Sequence, residues 1–155
     1  MKKFYFCLTL GLLFSSLAYS QLVFRHHYFQ TDLSAFNTYR LAAFTINGVE
    51  ADPSESSQIS LVQGKLHEAL AKRGFEQAVE PDMLLFLKLE IDTLGVALPN
   101  PEDREQIASF SVDIRQNPKY EKIFIGEVNG LIITNDKTDA RLRKIYRRFF
   151  NSFER

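Results

Sequence analysis

His26, His27 and His67 are the only histidines in this 155-residue chain, and three imidazoles are enough to build a tight metal site. His26 and His27, however, are neighbours in the β-forming run Leu22 to Phe29. Adjacent strand residues point to opposite faces, so the two cannot close on one ion and read as surface or half-buried histidines. Glu90 and Asp92 lie two apart in an alternating run and share one strand face, which in a concave, water-poor pocket sets up general acid and base chemistry. In a strand with one wet face the same spacing is ordinary solubility alternation, and that reading is preferred. Ser54, Ser56, Ser57 and Ser60 form neither a G-x-S-x-G elbow nor an S-x-x-K arrangement. The glycines are isolated, without a phosphate-cradling loop. The chain is therefore read as non-enzymatic, with no catalytic residue, metal or cofactor.

The residues that remain are cations. Lys137, Arg141, Arg143, Lys144, Arg147, Arg148 and Arg155 crowd the C-terminus against only Asp139 and Glu154. Arg141, Lys144 and Arg148 fall at three-and-four spacing opposite an aromatic stripe, with Arg147 beside them. These four are the candidate interaction surface, suited to an acidic envelope protein or an anionic membrane surface. The plainer alternative is that they complement the helix dipole and keep its outer face soluble.

The elements that position these residues follow from patterning. Leu22 to Phe29 and Thr38 to Ile46 are rich in β-formers and read as strands, with Thr31-Asp32-Leu33-Ser34 as a turn between them. Asn47 to Ser57 has loop composition. Asp52, Pro53 and Glu55 there suggest a cap, a first helical residue and a capping box. Ile59, Val62, Leu66, Ala69 and Leu70 then give one helical face, running to about Arg73 with Gly74 as a left-handed stop. Gly64 inside this helix suggests close approach to a neighbouring strand. Leu87, Leu89 and Ile91 alternate with Lys88, Glu90 and Asp92 as a strand with one wet face, and Gly95 to Gln106 is a charged, proline-broken loop. Phe110, Val112 and Ile114 open a hairpin that turns at Gln116-Asn117-Pro118 and returns from Lys122 to Thr134, with a bulge or a doubly buried stretch expected at Ile123, Phe124 and Ile125 beside Gly126. In the last helix Leu142, Ile145, Tyr146, Phe149, Phe150 and Phe153 form one stripe, whose burial is worth about 10 to 15 kcal/mol gross.

Compartment is read from the N-terminus. Lys2 and Lys3, the apolar run Phe4 to Leu17, and Ala18-Tyr19-Ser20 make a secretory signal cleaved before Gln21, the run being too short for a stable anchor. Residues 21–155 are expected to form one soluble domain, periplasmic or secreted, without a transmembrane segment. Cys7, the only cysteine, lies in the signal, so mature disulfides and thiol chemistry are excluded. Seventeen basic against nineteen acidic residues leave the mature chain at about −2, which disfavours nucleic acid.

Asp32-Leu33-Ser34-Ala35-Phe36-Asn37-Thr38-Tyr39, Lys72-Arg73-Gly74-Phe75 and Pro81-Asp82-Met83-Leu84-Leu85, in this order of elements, resemble the bacterial envelope family called domain of unknown function 4136. In that family a D-F-x-x-Y-x-T-Y-like segment opens a strand, a helix ends in a K-G-F/Y step and a D-L-like strand start follows. The resemblance covers roughly residues 22 to 153. It differs in having Ile125-Gly126 where the family commonly has tryptophan before glycine, and Gln21 where lipoprotein members have an acylated cysteine. It implies a small α+β domain of the Gram-negative envelope and no established activity.

The expected architecture is α+β in two layers, a mainly antiparallel sheet of about five strands with two helices on one face, in the order ββαβββα. The leading functional reading is a non-enzymatic envelope module for binding or assembly, with the basic C-terminal helix and the Gly95 to Gln106 loop as candidate contacts. The alternative is a carrier of a small apolar ligand such as a lipid, which requires a cavity of several hundred Å³ between sheet and helices. A third, a hydrolase, requires Glu90 or Asp92 in a cleft with another titratable group.

Overall fold

Met83, Leu85, Leu87 and Leu89 are buried while Lys88 and Glu90 face water, so the strand that carries them has one covered and one open face. The rest of the chain is arranged around it. The computed structural model describes residues 22–29, 33–52, 54, 56–92, 106–133 and 138–153; the expected signal and nearly all of the 95–106 loop lie outside the described residues. In chain order the elements are β1 (Val23–Tyr28), β2 (Thr38–Ile46), β3 (Val49–Glu50), α1 (Ser57–Ala71), β4 (Glu76–Gln77), β5 (Met83–Asp92), β6 (Gln106–Gln116), β7 (Lys122–Ile133) and α2 (Thr138–Phe149).

The sheet runs β1-β7-β6-β5-β2-β3, with β4 also on β2, and is antiparallel except where β2 pairs with β5 and β4. It carries both helices on one face. The five long strands and two helices follow the expected ββαβββα order, and two short strands raise the count from about five to seven. Both additions have local causes. Asn47 and Gly48 take positive φ (49° and 80°), the requirement of a two-residue hairpin turn, and fold β3 back on β2. Gly74 (φ 80°) ends the helical turn and sends Glu76 straight alongside Thr38.

Parallel β2 and β5 are locked at their starts by side chains of Thr38 and Asp82. The Asp82 carboxylate accepts from the Asn37 N–H (2.7 Å), the Thr38 N–H (2.9 Å) and the Thr38 hydroxyl (3.0 Å), while Thr38 Oγ1 accepts from the Asp82 N–H (2.9 Å). Asp82 thus satisfies the backbone donors that begin β2 and sets the register of two strands 44 residues apart.

The core is one cluster. Ile59, Val62, Leu66 and Leu70 of α1 and Leu142, Ile145, Tyr146 and Phe149 of α2 pack on Leu85, Leu87, Phe110, Val112, Phe124 and Val128 of the sheet. Phe150 and Phe153 continue the α2 stripe into this cluster. Tyr146 is wholly buried and its hydroxyl donates to the Val62 carbonyl (3.0 Å), which pins the two helices together. Burial pushes that phenol well above its usual range.

Two local expectations are corrected. α1 is capped by Ser56, whose Oγ accepts from the Gln58 N–H (3.2 Å), and not by Asp52. Asp52 instead accepts from the N–H and hydroxyl of Ser54 (2.8 and 2.7 Å), a turn that competes with helix initiation. Gly64 marks no close approach, because a Cβ there would meet nothing within 4 Å. The close approach is at Gly126, where a Cβ would lie 2.7 and 2.8 Å from the Phe124 ring and 3.0 Å from Phe149. The expected bulge does occur beside it, with the β6–β7 register shifting around Ile123.

Candidate functional site

The apolar stripe of α2 determines where its cations go. With Leu142, Ile145, Tyr146 and Phe149 directed into the core, the remaining positions divide into two flanks. Ala140, Arg143, Lys144 and Arg147 face α1, and Arg148 lies on the other flank with its guanidinium 4.3 Å from the Phe24 ring centre of β1. Arg141 is half-buried and already engaged within the fold. The structure therefore brings together only two of the four candidates, Lys144 and Arg147.

These two join cations from α1. Lys65, Glu68, Ala69, Lys72 and Arg73 form the opposite wall of a groove of about 400 Å³ between the helices, with Ala69 and Ala140 as small side chains in its lining. Six cations and one carboxylate line it. Arg73 is also structural: it donates to the carbonyls of Ala69 (2.8 Å) and Phe150 (2.6 Å), tying the end of α1 to the turn after α2.

The groove's acids are already neutralised. Glu68 accepts from Lys72 (2.7 Å) and Lys65 (2.9 Å), and these two hydrogen bonds hold its carboxyl down to about 2. At the rim Asp139 accepts from Arg143 and from Lys65 (3.0 Å), and the Arg143 bond does most to hold its carboxyl below the usual range. Carboxylates held this firmly ionised are poor proton donors near neutral pH. The side chains of Lys144 and Arg147 make no hydrogen bond or ion pair among the described residues. What the groove offers is a surplus of positive charge with two free cations, suited to a carboxylate or phosphate group.

Reading the sequence alone missed the α1 wall. Its signal was Lys65, Lys72 and Arg73 at spacings of seven and one around Ala69, a helical face without an aromatic stripe to draw attention to it.

The other residues considered for chemistry lie apart. His67 Nδ1 lies within hydrogen-bond distance of the Tyr39 hydroxyl (2.9 Å) and the Gln77 side-chain amide (2.6 Å), with its ring stacked on Tyr39 at 5.7 Å. Burial holds this imidazole below its ordinary range. His26 and His27 lie on β1 beside Gly126 and Ile125 of β7, on opposite faces of the sheet. Glu90 is exposed and pairs with Lys88 (2.6 Å). Asp92 ends β5, with its side chain outside the described residues. A second cavity, about 210 Å³, lies between sheet and helices against Phe44, Ile59, Val62, Leu89, Leu131 and Leu142. It is smaller than the several hundred Å³ that a lipid carrier calls for.

No protein-family model matches the chain. No curated protein matches it either. Its fold is similar to that of PelC from Paraburkholderia phytofirmans, solved as a dodecamer, at TM-score 0.60 and 5% identity over 86% of this chain and 98% of PelC. It is also similar to a PDZ domain protein from Parabacteroides distasonis, at TM-score 0.57 and 13% identity over 84% of this chain. This chain spans 35% of the length of that protein. At such identities the likeness is one of fold.

Proposed function

We propose that this chain is a non-enzymatic binding or assembly module of the bacterial envelope, periplasmic or secreted, of the domain of unknown function 4136 type, and that the α1–α2 groove receives an acidic segment of a protein partner. The observation that carries this reading is the pair Lys144 and Arg147, which among the described residues have no counter-charge, in a groove whose carboxylates are already bonded. The groove is concave, and its shape favours a side chain or narrow chain over the plane of a bilayer. Among the described residues no helix is long and apolar enough to cross a membrane. The signal-like N-terminus supports the compartment, and the dodecameric state of PelC, almost all of which this chain spans, supports assembly.

Binding of a labelled poly-glutamate peptide, followed by anisotropy at low and raised salt, tests the proposal, with phosphatidylglycerol vesicles as the competing surface. The wild type should bind the peptide with an affinity that falls as salt rises. Lys144→Ser with Arg147→Ser should weaken binding about tenfold or more, and Arg148→Ser should leave it unchanged. Equal binding by the double variant, or vesicle binding that depends on Arg148, would overturn it.

The second reading, a carrier of a small apolar ligand, is favoured by the 210 Å³ cavity and its largely apolar lining. That volume suits a short acyl or aromatic group, since an apolar cavity of about 150 Å³ holds a benzene-sized molecule.

A further inference from the structure

The two edges of the sheet are finished differently. Along β2 the edge is closed in pieces, by β4 at Thr38 and Tyr39 and by β3 at Thr45 and Ile46, with a register irregularity at Ala42 between them. The other edge is β1, which among the described residues pairs only with β7. Among the described residues it has no proline, no register shift against β7 and one charged residue, Arg25, so there it lacks most of the devices that usually guard an open edge.

One hydrogen bond determines which backbone groups of β1 point outward. The Phe29 N–H donates to the Ile123 carbonyl (2.9 Å), so Phe29 faces β7. Alternate residues of a strand direct their N–H and C=O to the same side, so Val23, Arg25 and His27 face β7 as well. Phe24, His26 and Tyr28 therefore aim theirs away from the sheet. We propose that β1 pairs antiparallel with β1 of a second copy, about a two-fold axis at His26. Within β1 this register alone uses all three outward residues: His26 opposes His26 of the second copy, and Phe24 opposes Tyr28 in each direction. It also places Val23 opposite Phe29, two large apolar residues left 50% and 51% exposed. A shift of one residue would set outward groups against inward ones and forfeit the bonds. A contact this narrow buries less than about 800 Å² per partner, so the dimer is reversible, with a Kd on the order of 1 to 100 micromolar. The pairing is independent of the inter-helix groove.

With Cys7→Ser in the leader, single cysteines can be placed at will in the full chain. Facing residues of paired strands have Cα atoms about 4.5 to 5.5 Å apart, within disulfide reach. Under mild oxidation His26→Cys should give a covalent dimer. Arg25→Cys and His27→Cys should each stay monomeric alone and crosslink when mixed. His26→Pro removes an outward donor, which an edge strand tolerates, together with the exposed imidazole's edge contact on the Tyr28 ring (5.5 Å). It should keep the wild-type melting midpoint and weaken the dimer about tenfold or more by sedimentation. Equal crosslinking at all three positions, a wild type that stays monomeric into the high-micromolar range, or undiminished association of His26→Pro would overturn the proposal.

Discussion

Alanine at Gly126 should destabilise this fold by about 0.5 to 2.5 kcal/mol, although glycine to alanine in a strand is ordinarily favourable. The added methyl would sit 2.7 and 2.8 Å from the Phe124 ring and 3.0 Å from Phe149, against about 3.5 to 4.0 Å for relaxed carbon contacts. Neither ring has room to move. Phe124 is wholly buried and packs against Tyr28, Phe149, Phe150 and Phe153 with centroids 5.0 to 6.1 Å apart, so any shift passes into the whole cluster. Overpacking of this kind costs about 1 to 3 kcal/mol, offset by about 0.5 kcal/mol from the stiffer unfolded chain. Gly64→Ala is the internal control: it sits in helix α1 with open space around it and should stabilise by about 0.5 to 1 kcal/mol. For a domain of this size 1 kcal/mol moves the melting midpoint about 3 to 4 °C. The chain has no tryptophan, so far-ultraviolet circular dichroism is the natural probe. The two substitutions should move the midpoint in opposite directions, and Phe124→Leu should shrink the cost of Gly126→Ala by making room for the methyl. A neutral Gly126→Ala, or the same cost in the Phe124→Leu background, would refute the steric explanation.

Asp82→Ala should cost about 2 to 4 kcal/mol, because it strips the acceptor from two backbone N–H groups and the Thr38 hydroxyl; a denaturant midpoint within error of wild type would contradict the clamp between β2 and β5. His67 should make stability pH-dependent. Its folded pKa lies below the ordinary 6.5, so the unfolded chain binds the proton more readily, and stability is full above about 6.5 and declines as pH falls below it. Denaturant midpoints of the wild type should fall between about pH 7.5 and about pH 5.5, and those of His67→Gln should fall less; parallel slopes would exclude the imidazole as the cause.

Much of this architecture was legible because period and punctuation agree. The α2 stripe from Leu142 to Phe153, the alternation through Leu87, Leu89 and Ile91, and the Gly74 stop each lie where patterning places them. Where local and long-range forces diverge, the pattern misleads. Asp52 has every mark of a helix cap, yet its own turn with Ser54 captures the carboxylate and leaves the cap to Ser56. Asn47-Gly48 is a strong hairpin signal that a loop-like composition obscured. The parallel pairing of β2 with β5 rests on Asp82 reaching back to Asn37 and Thr38, a contact that periodicity does not encode.

The candidate site was half legible for the same reason. Counting charges along α2 found Lys144 and Arg147, but helical spacing alone did not reveal that Arg148 stacks over Phe24 while Lys72 and Arg73 of α1 complete the groove. A groove between two helices depends on both rotations at once. Those rotations are set by the buried stripes and by the Tyr146–Val62 bond between them.

Backbone amide shifts during titration with the poly-glutamate peptide would test the central claim most directly. Perturbations should concentrate at Ala69, Lys72, Ala140, Lys144 and Arg147, and should vanish in the Lys144→Ser, Arg147→Ser variant while its remaining spectrum stays that of the folded protein. Perturbations centred on Arg148 or on the open face of the sheet at Lys88 and Glu90, or none at any peptide concentration, would contradict it.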